Sequence, residues 1–179
     1  QLAMGTFDDV NAISKIAVNT HLAGAAGTVA AAVVTRLLGG KTDIVMMLNG
    51  ALAGLVAITA EPLTPGPITA MFIGSIGAVI MYFGTKMLES YGLDDVVGAI
   101  PVHMFAGIFG TLVVPLTNSD TTFGTQFIGT ASVCLFSFGL SWITFTILKS
   151  TIGLRISKAA EKLGTDKAEV GVTAYSIRD

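Results

Sequence analysis

The sequence predicts an all-α protein, a polytopic bundle of transmembrane helices followed by a short polar tail. Three observations carry that expectation. Hydrophobic residues make up 52% of the chain and charged residues only 12%, about half of the ~25% usual in soluble domains. The mean hydropathy is +0.75. The 21 glycines lie largely inside apolar runs, Gly50, Gly54, Gly74, Gly77, Gly107 and Gly110 among them. Each would cost a soluble helix roughly 1 kcal/mol relative to Ala, but small residues let membrane helices approach closely.

A bilayer core of about 30 Å needs around 20 apolar residues in a helix. Five segments match or approach that length: 10–38, 43–60, 67–88, 95–116 and 124–150. Gly39-Gly40-Lys41 separates the first two. The second linker, 61–67, holds Pro62, Pro65 and Pro67, which stop helices. Ser90-Tyr91-Gly92 and Thr117-Asn118-Ser119-Asp120 mark the remaining breaks. Beyond Gly153 the chain turns polar. Within this tail a short helix from Ser157 to Leu163 is expected, with Ser157 as N-cap and Gly164 just past its end. The expected organisation is therefore a transmembrane domain over 1–152 and a tail over 153–179. Gln1 opens the chain with neither Met nor a signal-peptide pattern, so the first residues read as the continuation of a longer protein.

Five spans place the two ends of the chain on opposite sides of the membrane. Nine of the ten Lys and Arg residues then share the side of the tail: Arg36, Lys41, Lys86, Lys149, Arg155, Lys158, Lys162, Lys167 and Arg178. Only Lys15 lies on the other. The positive-inside rule makes the tail cytoplasmic.

Several chemistries are excluded. The net charge of −2 gives no basic footprint for nucleic acid. Cys134 is the single cysteine and reads as a small packing residue. No GxxxxGK[ST] loop, metal-ligand cluster or Ser-His-Asp set can be drawn, so neither an enzyme nor a bound cofactor or metal is expected.

His103 is the leading candidate for function. It follows Asp95 by eight residues, which at 1.5 Å per residue is about 12 Å into the fourth span. An ionisable group at that depth usually faces a cavity or a partner. Imidazole changes charge near pH ~6.5, desolvation favours its neutral form, and that form both donates and accepts hydrogen bonds. The plainer reading is a histidine satisfied by a carbonyl or hydroxyl between helices. Asp94 and Asp95 read as caps at the start of this helix, where carboxylates meet free N–H groups and the dipole, with a direct role in a pathway as the alternative. Pro101 removes a backbone bond and frees a carbonyl close to His103. His21, with Asn19 and Thr20, reads as a hydrogen-bonding group between helices. Gly50 and Gly54 have the GxxxG spacing of close helix packing. Glu61 reads as an exposed loop carboxylate or an attractor of cations.

Residues 49–60 (Asn49-Gly50-Ala51-Leu52-Ala53-Gly54-Leu55-Val56-Ala57-Ile58-Thr59-Ala60) resemble a segment of the ammonium transporter family (Amt/Mep/Rh). So do Asp94-Asp95-Val96-Val97-Gly98-Ala99-Ile100-Pro101-Val102-His103 and Ala106-Gly107-Ile108-Phe109-Gly110-Thr111-Leu112. Gly153-Leu154-Arg155-Ile156-Ser157 and Ala174-Tyr175 resemble the start and end of the family's cytoplasmic tail. The resemblance covers nearly the whole chain and corresponds to the C-terminal half of an eleven-helix, inverted-repeat, trimeric transporter. It implies transport of ammonium or ammonia through a hydrophobic pore lined by a pair of neutral histidines. His103 would be one of the pair; the other lies on a fifth helix outside this chain, and His21 does not match it. Thr59 would lie near the outer vestibule. Gly153, Arg155 and Tyr175 would belong to a regulatory tail able to dock a PII-type signal protein. The implied setting is the cell (inner) membrane, multi-pass, with the lipid bilayer and two further copies as partners. An ammonium sensor using the same membrane fold is the alternative. Residues 169–175 lack the His-Gly-Glu pattern common before Ala-Tyr in the family, and 61–67 is unusually proline-rich. The wording of 94–103 disfavours a Rhesus-type gas channel.

Overall fold

A computed structural model describes residues 5–174, and no strand occurs among them. Helix α1, Phe7–Gly39, opens with a reciprocal cap: the Thr6 hydroxyl accepts the Asp9 N–H, and the Asp9 carboxylate accepts the Thr6 N–H at 2.9 Å. This pair satisfies two N–H groups that no helical carbonyl can reach. The helix ends where Gly40 turns left-handed, with φ +72°. Helix α2, Ile44–Ile58, starts from Asp43, whose carboxylate accepts the Met46 N–H at 3.0 Å. Helix α3, Pro67–Ser90, carries proline in its first turn, where a missing N–H costs nothing.

Helix α4, Ile100–Leu116, is irregular. It begins as a π-helical turn, Ile100–Phe105, continues as α-helix over Ala106–Val113 and ends in a 3₁₀ turn, Val114–Leu116. The sequence places its start at residue 95. The structure instead puts a non-helical turn there, with Gly98 N–H donating to Asp95 O at 3.1 Å and Gly98 at φ +72°. Helix α5 is Phe123–Thr151 and α6 is Lys158–Leu163. By length and composition α1, α3 and α5 can each cross a membrane. Helix α2 has 15 residues, about 22 Å, and α2 and α4 are both shorter than those three.

The chain forms two compact units, one reaching Ala131 and one starting at Ser132, inside α5. In the first, α1, α2 and α3 meet almost backbone to backbone. A Cβ added at Gly27 would overlap the Gly50 carbonyl, and one at Gly54 or Gly74 would overlap the Ala23 carbonyl. Helix α4 is seated the same way, since a Cβ at Gly110 would overlap the Ala57 carbonyl. Gly50 and Gly54 thus sit in a helix contact, as their spacing predicts. Around these small residues close two apolar clusters. One joins Met46, Ala53, Met81, Tyr82, Val102 and Ala106; the other joins Ala23, Ala57, Ile58, Ala70 and Ile73.

In the second unit Ser157 accepts the Ala160 N–H at 3.2 Å and caps α6, as expected. Gly153 turns with φ +81°. Arg155 pairs with Glu161 at 2.7 Å with both side chains well exposed, a geometry that contributes little to stability. The Asp166 carboxylate accepts the Ala174 N–H at 2.8 Å, which holds it below the usual carboxylate range. Tyr175 lies outside the described residues.

The backbone contact at Gly74 yields a prediction. Gly74→Ala places its methyl against Ala23 backbone atoms, which cannot rotate away, and should destabilise the protein by about 1–3 kcal/mol. Gly39→Ala meets nothing within 4 Å and should be neutral or stabilising. Thermal unfolding in detergent separates the two variants, and equal melting temperatures would contradict the packing described.

Candidate functional site

His103 projects from the π-helical turn of α4 and is exposed on this unit, as are Ile100 and Met104 beside it. Its neighbours Pro101, Val102 and Ala106 are buried. They face α2 and α3, where Val102 and Ala106 join the Met46–Ala53–Met81 cluster. The π turn is therefore gripped on one side and bare on the other, with the imidazole on the bare side. Among the described residues the His103 imidazole has no hydrogen-bond partner, so the reading in which a carbonyl or hydroxyl satisfies it finds no support within this unit.

The π turn shows in its hydrogen bonding: the Ala106 N–H bonds to both Pro101 O and His103 O. The ring of Phe105 lies over Gly84 of α3, where a Cβ would overlap it and approach Pro101 Cβ at 3.3 Å. Glycine at position 84 thus leaves room for an aromatic one turn from the proline. π turns are uncommon and concentrate at functional positions.

The approach to this turn is held by side chains. Asp95 Oδ1 accepts the Ala99 N–H at 2.9 Å, and Oδ2 accepts the Ile100 N–H at 2.8 Å. Asp94 makes no side-chain hydrogen bond to a described residue. Asn49, on α2, donates from Nδ2 to the Val97 carbonyl at 3.1 Å. A cavity of about 180 Å³ lies beside these groups, lined by Thr85, Glu89, Asp94, Asp95, Gly98 and Pro101.

At the other end of α2, the Thr59 hydroxyl donates to Leu55 O of its own helix at 2.6 Å and remains exposed. Beside it the loop 61–67 is built on two polar residues. Asn19 is fully buried, and its Nδ2 donates to Pro62 O at 2.8 Å and Pro65 O at 2.9 Å. Glu61 accepts from Leu63 N, Thr64 N and Asn118 Nδ2 at 3.0, 3.1 and 3.0 Å. The expectation for Asn19 and His21 therefore divides. Asn19 binds across to another element, whereas His21 Nδ1 contacts Ala17 O of its own helix at 2.7 Å. Glu61, read as a loop carboxylate, organises two loops.

The sequence gives Asn49 no separate role, because its partner Val97 lies 48 residues further along the chain. Among the described residues, no group of three His, Cys, Asp or Glu could hold a metal ion.

The sequence profile of the Ammonium Transporter Family matches residues 4–175. The ammonium transporter Amt2 of Archaeoglobus fulgidus is 41% identical over 183 aligned positions, covering 91% of this chain and 39% of that protein. An ammonium transporter of Corynebacterium glutamicum is 32% identical, covering 97% of this chain and 42% of that protein. The chain thus spans about two fifths of these relatives. Among solved structures, one described as a sensor Amt protein superposes with a TM-score of 0.82 at 31% identity, covering 88% of this chain and 42% of that one. The crystal structure of Candida albicans Mep2 superposes at 0.75 with 26% identity, covering 88% and 39%.

The capping geometry predicts an asymmetry between the two aspartates. Asp95→Ala strands the N–H groups of Ala99 and Ile100 and should cost about 1 kcal/mol, within the 0.5–2 kcal/mol typical of a lost cap. Asp94→Ala should change stability little. Chemical denaturation of the two variants measures this, and equal losses would contradict the assignment of the cap to Asp95.

Proposed function

The chain belongs to the ammonium transporter family, and from that premise we propose that it is the C-terminal half of an ammonium transporter whose conduction path runs past His103. The observation that carries the proposal is the state of His103. It is an imidazole in the first turn of an apolar helix, on a π turn, with no hydrogen-bond partner for its ring in this unit and on the face that this unit leaves open. A group of that kind is costly in a membrane unless it meets a path or a partner.

The chemistry follows from desolvation. A dehydrated ammonium ion in an apolar channel is heavily penalised, whereas ammonia carries no net charge. A neutral imidazole can accept a hydrogen bond from the passing nitrogen species or donate one to it, and can relay a proton, without placing a fixed charge in the channel. The family resemblance supplies the rest of the proposed assembly: a second histidine on a helix outside this chain, an eleven-helix fold and a homotrimer. In this arrangement Thr59 and the loop tied by Asn19 and Glu61 lie at the outer mouth, and Asp95 caps the pore helix at its inner end. The Lys and Arg distribution supports a cytoplasmic tail in a cell-membrane protein. Gly153, Arg155 and Tyr175 belong to that tail, where coupling between subunits and docking of a PII-type protein would occur.

A second reading is an ammonium sensor, supported by the likeness to the sensor Amt structure. Uptake of labelled methylammonium by a transport-deficient strain expressing the full-length protein distinguishes the two. Uptake well above background is expected, and its absence would favour the sensor. His103→Ala should lower uptake at least about tenfold, the factor set by losing one hydrogen bond of ~1.4 kcal/mol at the barrier, or should abolish discrimination among cations. Unchanged flux and selectivity would remove His103 from the path.

A further inference from the structure

Pro101 stands in the first turn of α4, where its missing N–H leaves no helical bond unmade. Val97 lies before the helix, in the turn that Gly98 closes with φ +72°. The first rung of the helix is the Val102 N–H donating to Gly98 O at 3.1 Å. The Val97 carbonyl is met by Asn49 Nδ2, from α2, at 3.1 Å. Gly98 makes the approach feasible: it is buried with φ +72°, and a Cβ there would lie 2.8 Å from the same amide nitrogen. On the other side of the turn, Asp95 takes the N–H groups of Ala99 and Ile100. Donor and acceptor are thus both supplied by side chains where the backbone lacks them.

We infer that Asn49 is a positioning residue for His103: its amide pins the Val97 carbonyl in the turn that leads into α4, and so fixes where the π turn that carries the imidazole begins. The inference rests on the reading of His103 as a pore residue. The ring has no tether of its own within this unit, so the backbone alone decides where it points. A π turn differs from an α turn by one residue, and collapse of one into the other rotates the side chains ahead of it by about 100°. With Val97 unpaired, relief comes from rotating the peptides between 97 and 101, and that motion reaches His103 within two residues. Small displacements of a positioned group are costly, about 10²-fold for 1 Å in catalytic sites.

The test uses the full-length protein reconstituted in liposomes, with methylammonium flux, its competition by ammonium and its pH profile measured at equal protein content. Asn49→Leu removes the amide. Its flux should fall about tenfold, and its competition and pH profile should shift in the same direction as those of His103→Ala. Combined with His103→Ala it should add nothing further. Where Asn49→Leu does not accumulate, Asn49→Asp, of nearly the same shape and without a donor when ionised, takes its place with the same expectations. Wild-type flux and pH profile in the Asn49 variant would overturn the inference, as would a loss that multiplies with that of His103→Ala. If His103→Ala itself changes neither flux nor selectivity, the pore reading fails and this inference falls with it. That result is distinct from an active role for His103 alongside a silent Asn49.

Discussion

Three helices of this protein touch through their backbones, and the remaining geometry depends on that contact. Ala23 of α1 lies under both Gly54 of α2 and Gly74 of α3, while Gly27 of α1 lies against Gly50. Lipid chains are as apolar as leucine, so burial of large side chains gives little advantage inside a membrane; close packing and satisfied polar groups do the work. A triplet joined at Ala and Gly is rigid because few long side chains intervene to change rotamer. On this platform Ala57 receives Gly110 of α4, and Gly84 receives the ring of Phe105. The irregular helix thus rests on a regular and inflexible support.

The second constraint is that every backbone polar group within apolar surroundings needs a partner. The turn before α4 meets it with side chains: Asp95 takes the Ala99 and Ile100 N–H groups, and Asn49 donates to the Val97 carbonyl. The same device recurs at the opposite end of the unit, where the prolines of 61–67 have carbonyls but no N–H groups. Buried Asn19 supplies donors to Pro62 and Pro65, and Glu61 gathers N–H groups from the same loop together with the Asn118 amide. An asparagine on a helix therefore completes a proline-bearing segment at each end, and His103 lies beside one of the two. On the proposed reading, irregularity is placed where a path needs a polar group and is confined there by side chains.

Much of this was legible in the sequence because it depends on local patterns. Hydropathy and the linker residues placed α1, α2, α3 and α5 within a few residues of their observed ends, and Ser157 with Gly164 bounded α6. The GxxxG spacing indicated a helix contact at Gly50 and Gly54, though not that Ala23, Gly27 and Ala31 lie opposite. The start of α4 was misplaced by five residues, since an apolar run does not reveal that Gly98 takes a positive φ or that Asp95 reaches across to Ala99 and Ile100. Pro101 announced an irregularity near His103, but neither its π form nor the donor for Val97 was legible. Those depend on Asn49, 48 residues earlier in the chain, and on Gly84 leaving space for Phe105. The partners of Asn19 and Glu61 were hidden for the same reason: a long-range pairing leaves no periodic trace.

The most direct measurement is an experimental structure of the full-length protein in a lipid nanodisc. The His103 imidazole is expected at the wall of a narrow apolar passage closed by the part of the protein outside this chain, with the Asn49–Val97 hydrogen bond intact below it. A His103 turned toward lipid, or hydrogen-bonded within a solid helix contact with no passage beside it, would contradict a pore role for this residue.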